Sequence, residues 1–195
     1  MKFALKILLL GSGLLMTAHG LFGPIYAIFV ERIGGDLLTA GSAYSIYSIA
    51  AGLMIFFVSR WSLSEKHPNL LITAGYGLST VGLVGYSFIT TPIDLFIVEV
   101  IFGVAEAISM PAFDGLFSSL IEEGKYANRW GLWETMAYLV TAFAAIAGGF
   151  IAQVFGFKFL FMVMAIVGFG SFLTCLGLFK KGGIIRFLNV QTKRR

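Results

Sequence analysis

FKFLFMVMAIVGFGSFLTCLGLF, residues 157–179, is 23 residues long and contains one charged side chain, Lys158. A helix needs about 20 mostly apolar residues to cross about 30 Å of hydrocarbon, and this run supplies them. Working outward from it, five more such runs occupy residues 5–30, 38–58, 69–89, 93–118 and 129–153. The runs are continuous rather than alternating. Lipid offers no partner to a free N–H or C=O, so each run reads as a helix and not as a barrel strand. The expected fold class is an all-α membrane protein with six transmembrane helices.

The charges fix an orientation. The chain is 58% hydrophobic and 12% charged, with a net charge of +4, whereas a soluble domain is about 25% charged. With the N-terminus placed in the cytoplasm, twelve of the 14 basic residues fall on that side: Lys2, Lys6, Arg60, Lys66, Lys125, Arg129, Lys180, Lys181, Arg186, Lys193, Arg194 and Arg195. Arg32 and Lys158 remain outside. This positive-inside bias predicts a multi-pass protein of the cytoplasmic (inner) membrane with both termini in the cytoplasm. The basic tail is expected to lie against anionic lipid headgroups rather than nucleic acid. The single cysteine, Cys175, excludes a disulfide framework. The first twenty residues resemble a secretory signal, ending in Ala18-His19-Gly20, but the apolar run continues through Leu21–Val30, which suits an uncleaved first span.

The expected organisation is one six-helix domain over residues 1–182 followed by a basic tail, 183–195. Residues 90–92 and a tight turn around Gly156 are short connections. A weak repeat relates residues 1–90 to 91–182. When Pro24 is superimposed on Pro111, His19 falls opposite Glu106 and Tyr26 opposite Phe113. Each proline is expected to break its helix. A three-span unit repeated once is inverted in the membrane, and paired interruptions in inverted repeats point to a transport site.

The fourth span holds Glu99, Glu106 and Asp114. At 100° per residue, Glu99 and Glu106 lie within about 20° of each other and Asp114 about 80° further round. A mid-membrane acid costs roughly 2.5–3.5 kcal/mol on an insertion scale, so this face should line a cavity or meet partner side chains. Candidate substrate or proton-binding residues are Glu106, Glu99, His19 and Tyr26. Ser12, His19 and Tyr26 share a stripe of the first span, and Tyr44, Ser45, Tyr47 and Ser48 lie on the second. Asp114, Glu134, Arg129 and Arg60 are expected to form a gating or ion cluster near the cytoplasmic side. Glu134, Tyr138 and Thr141 lie along the fifth span. Structural bracing between helices is the alternative for each acid. No P-loop, haem motif or Cys/His metal spacing occurs, so neither cofactor nor metal is expected. Ser12 has only His19, on its own helix, as a nearby histidine. An enzyme is therefore not expected.

Several segments resemble the major facilitator superfamily. Glu99-Val-Ile-Phe-Gly103 stands where that family often has Arg-x-x-x-Gly. Gly103-Val-Ala-Glu-Ala-Ile-Ser-Met-Pro111-Ala is similar to the glycine-rich run that follows. Glu122-Glu123 through Arg129-Trp-Gly131, Ala147-Gly148-Gly149 and Gly156-Phe-Lys-Phe-Leu-Phe161 resemble the fifth and sixth helices of one six-helix half. The family's loop motif after the second helix is reduced to Gly52…Ser59-Arg60-Trp61. Its antiporter motif reads Ala144-Ala-Ile-Ala-Gly-Gly149 without the proline. The resemblance implies a half-size secondary transporter with helices 1 and 4 around a central path. Two copies in a parallel homodimer would complete the usual pair of halves. The function expected is proton-coupled movement of a small solute by alternating access, with acids and aromatic residues favouring cations or amphipathic organic solutes. The alternative is a non-transporting scaffold or accessory subunit that pairs with another membrane protein.

Overall fold

The computed structural model describes residues 3–60 and 66–179. Trp61 and the basic residues Lys2, Lys180, Lys181, Arg186, Lys193, Arg194 and Arg195 lie outside the described residues. All regular structure among the described residues is helical. Helix α1 spans Phe3–Gly20, a 3-10 turn covers Gly23–Ile25, and α2 spans Tyr26–Arg32. Helix α3 is Leu37–Arg60, α4 is Pro68–Gly85, α5 is Pro92–Leu120, α6 is Tyr126–Phe155 and α7 is Phe157–Leu176. Five helical stretches are long and apolar enough to cross a membrane: 3–32, 37–60, 68–88, 126–155 and 157–179. The 29-residue α5 carries Asp94, Glu99, Glu106 and Asp114 along its length.

Local chemistry sets the boundaries. Thr91 opens α5 with a reciprocal cap. Its hydroxyl accepts from the Asp94 N–H at 3.4 Å, and an Asp94 carboxylate oxygen accepts from the Thr91 N–H at 2.8 Å. Asp36 does similar work before α3, accepting from the N–H of Thr39 at 2.8 Å and from its hydroxyl at 2.7 Å. These bonds hold the Asp36 carboxyl below its ordinary range. Gly156 joins α6 to α7 alone, at φ +82°, a backbone conformation that a side chain disfavours.

The two prolines behave differently. Around Pro24 the first span breaks as expected, leaving α1 and α2 as separate helices joined by the 3-10 turn. Around Pro111 the expected break does not occur, and α5 runs through it. A proline removes one N–H donor, here to the carbonyl of Ala107. The turns on either side are packed on neighbouring helices and keep the helical path. Near Pro24 the additional glycines Gly20 and Gly23 remove that restraint.

Helix α5 packs chiefly between α3 and α4, and α1 chiefly between α6 and α7, with α4 and α7 also in contact. Two apolar cores hold the bundle. One gathers Phe22, Phe29, Phe157, Phe161, Tyr86 and Phe102 around the turn between α1 and α2. The other gathers Leu8, Ile72, Phe113, Phe117 and Cys175, with Trp130 and Trp133 against it. Buried hydrogen bonds lock the register. Ser171 donates to the carbonyl of Gly11 at 2.7 Å, and Thr73 to that of Cys175 at 3.3 Å. Close approach at Gly103 brings α5 onto α3. A β-carbon there would stand 2.6 Å from the Tyr47 carbonyl oxygen and 2.8 Å from the Ala50 β-carbon.

Candidate functional site

The break in the first span, the middle of α5 and the middle of α3 enclose a cavity of about 430 Å³, lined among others by His19, Phe22, Tyr26, Tyr44, Tyr47, Tyr86, Glu99, Phe102 and Glu106. A second cavity of about 450 Å³ is lined among others by Ser12, Met16, Pro24, Tyr76, Met110, Phe113, Asp114, Trp133 and Thr141. His19, Gly23, Tyr47 and Glu106 belong to both. Gly23 lines both cavities at the break and faces open space, with nothing within 4 Å of where a β-carbon would stand.

The three acids of α5 differ in their surroundings. Glu99 is 7% exposed. Its Oε1 accepts from the Tyr26 phenol at 2.7 Å and from the Tyr86 phenol at 3.3 Å. One carboxylate oxygen thus joins α2, the end of α4 and α5. Glu106 is half-buried, and its side chain has no hydrogen-bond or ion-pair partner among the described residues. It opens onto both cavities. Asp114 is also half-buried, without such a partner, and lies on the second cavity. The imidazole of His19 faces the same space, edge-on to Phe102 with ring centroids 5.1 Å apart. Across the second cavity, the Trp133 indole N–H donates to the Ser12 hydroxyl at 3.3 Å, joining α6 to α1.

Glu106, Glu99, His19 and Tyr26 therefore meet in one cavity. Asp114 joins Glu106 and His19 in the other. Asp114, Glu134, Arg129 and Arg60 make no ion pair with one another within 4.0 Å. Arg129 and Glu134 are five positions apart, which places them about 140° apart on α6. Glu134 is exposed. Arg60, at the end of α3, lies 4.5 Å above the Phe56 ring of its own helix. Tyr86 and Phe102 in the first cavity and Trp133 in the second stand outside the site residues expected from the sequence. Tyr86 was findable by depth: 90–92 makes a tight connection, so residues shortly before it face residues shortly after it, and Tyr86 comes level with Glu99. The chemistry available is that of a carboxyl group and an imidazole lining the same cavities, able to exchange a proton or meet a cationic group.

A family model described as the Major Facilitator Superfamily matches residues 8–183. The uncharacterized MFS-type transporter YitZ of Bacillus subtilis is 24% identical over 154 residues, covering 79% of this chain and 93% of that protein. The multi-drug resistance efflux pump PmrA of Streptococcus pneumoniae is 28% identical over 179 residues, covering 88% of this chain and 42% of its own length. The uncharacterized MFS-type transporter MJ1560 of Methanocaldococcus jannaschii is 23% identical over 155 residues, 78% of this chain and 39% of that protein. The chain spans less than half the length of the latter two relatives. With the family model covering nearly all the described residues, and with transporters as relatives, the chain is a multi-pass membrane protein that belongs to the major facilitator superfamily.

Proposed function

We propose that this chain is a six-span half of a secondary active transporter, and that two copies form a parallel homodimer that moves a small solute by proton-coupled alternating access. Glu106 carries the proton or the substrate, with His19, Tyr26 and Glu99 around it. Asp114, with Glu134, Arg129 and Arg60, serves the gating end. Helix α5, the fourth span in chain order, brings the five apolar stretches to six. The domain is residues 1–182, with the basic tail 183–195 and both termini on the cytoplasmic face of the inner membrane. The observation that carries the reading is Glu106, whose side chain has no hydrogen-bond or ion-pair partner among the described residues and opens onto two cavities that meet at a helix break.

The packing supports inverted repeats over 1–90 and 91–182. Exchanging the first three spans for the last three maps α5 between α3 and α4 onto α1 between α6 and α7. Surface chemistry supports a protein neighbour on one side. The exposed faces of α4 and α7 are apolar, with Leu70, Val81, Val84, Met162, Ile166 and Phe169. The exposed faces of α3 and α6 are mostly apolar too, with Leu53, Phe56, Phe143 and Ile146, but they also carry Tyr44, Glu134 and Tyr138. The hydroxyls of Ser45, Ser48 and Thr135 donate to carbonyls of their own helices, so lipid penalises chiefly Glu134 and the two phenols. A second copy set against α3 and α6 would cover those three groups. The relative YitZ, nearly all of which is covered by the match, has a similar extent.

The test is reconstitution into liposomes with a trapped pH dye and a panel of solutes under an imposed pH gradient. Wild-type protein should couple proton movement to one solute class, and Glu106→Gln should abolish that coupling. Unchanged flux in the variant sinks the role of Glu106. No flux at all, with a different membrane protein retained through purification, replaces the transporter with the accessory-subunit reading.

A further inference from the structure

We propose that the joined cavities bind an organic cation, its charged centre at Glu106 and its apolar body in the second cavity. The proposal rests on the transport reading above and names the substrate class for that site. The first observation is the sign of the lining. Glu99 and Glu106 line one cavity and Glu106 and Asp114 the other, while no Lys or Arg among the described residues lines either. An anion entering there meets carboxylates and finds no guanidinium or ammonium to offset them. Among the described lining residues His19 is the basic side chain, and like Glu106 it lines both cavities.

The second observation is availability. The phenols of Tyr26 and Tyr86 occupy one oxygen of Glu99. Glu106 and Asp114 have no such partners among the described residues, so both carboxyl groups are free to meet a ligand. Glu99 is a positioning residue and Glu106 a binding residue. The two free acids stand eight residues apart, about 12 Å along α5. They offer a cation two successive stations at different depths of the bundle.

The third observation is what lies between these stations. Trp133, Phe113 and Tyr76 bring ring surfaces to the second cavity, with Met16 and Met110 beside them. Aromatic faces attract cations, and methionine adapts to varied apolar shapes. A strongly hydrated inorganic ion would leave this apolar wall unused. A cation wrapped in hydrocarbon uses both the acids and the rings.

Two probes of matched shape and opposite charge test this directly: tetraphenylphosphonium and tetraphenylborate. Binding to the purified protein in lipid nanodiscs is measured by equilibrium dialysis, with empty nanodiscs as background. The expected result is saturable binding of the phosphonium and none of the borate. Glu106→Gln should weaken phosphonium binding by about tenfold or more, the loss of one charge-assisted contact, and Asp114→Asn should weaken it less. Saturable borate binding as tight as that of the phosphonium overturns the proposal. So does phosphonium affinity left unchanged by both substitutions. The wild-type comparison decides the matter even if a variant fails to fold. Proton-coupled flux of a neutral or anionic solute without phosphonium binding overturns the cation assignment and leaves transport intact. Phosphonium binding without flux of any solute upholds the cation site and removes the transport reading.

Discussion

Tyr26→Phe removes one oxygen atom and keeps the ring in the aromatic cluster around Phe22. The lost bond is the 2.7 Å donation to Glu99 Oε1. A hydrogen bond to a charged group is worth about 1.5–3 kcal/mol and one between neutral groups about 0.5–1.5 kcal/mol. The Tyr86 phenol, at 3.3 Å from the same oxygen, is the remaining donor and should recover part of the loss. The expected destabilisation is thus about 1–2 kcal/mol, near the lower end for a charged acceptor. Tyr86→Phe, which removes the longer bond, should cost less. Reversible unfolding in mixed detergent–lipid micelles gives the values, and Glu99→Gln closes a double-mutant cycle with each phenol. Because both phenols meet one oxygen, the two tyrosine substitutions together should cost more than the sum of each alone. Strict additivity of Tyr26→Phe and Tyr86→Phe, or a Tyr26→Phe variant as stable as wild type, would refute a shared carboxylate clamp.

Two further outcomes follow from the packing and the caps. Gly103→Ala should destabilise the protein by about 1–3 kcal/mol, the usual cost of forcing an extra methyl into a packed contact, because the new carbon meets the Tyr47 carbonyl and Ala50 of α3. The same unfolding assay checks it. Thr91→Ala should cost about 1 kcal/mol through loss of the cap on α5, with Thr91→Ser restoring most of it; hydrogen exchange at the first turn of α5 reads the local opening.

Much of the fold was legible because hydrophobic runs and short turns are local signals. Gly156 and residues 90–92 marked connections that the structure keeps, and every expected span lies within a few residues of an observed helical stretch. Gly20 and Gly23 just before Pro24 let the break there form, and that break was legible from the proline itself. Pro111 was not: whether a proline ends a helix depends on what packs around it, and α3 and α4 are distant in sequence. In the site, the shared face of Glu99 and Glu106 came from the helical repeat alone. The phenol of Tyr86 and the indole of Trp133 came into view only with the tertiary arrangement. The expected gating group rests on depth along the helices and not on ion pairing, since Arg129 and Glu134 lie about 140° apart on α6.

The position of α5 between α3 and α4 also bears on how the protein is made. On the six-span reading, each acid that enters the bilayer alone costs several kcal/mol, and α5 carries Glu99, Glu106 and Asp114 through its middle. Both helices that flank it precede it in the chain. A ribosome that delivers segments in order therefore sets two shielding walls in the membrane before the acidic segment leaves the insertion machinery. The linear order of the sequence supplies a partner surface to α5 at the moment it partitions, and a permuted chain that synthesised α5 first would have to insert the same acids unaccompanied.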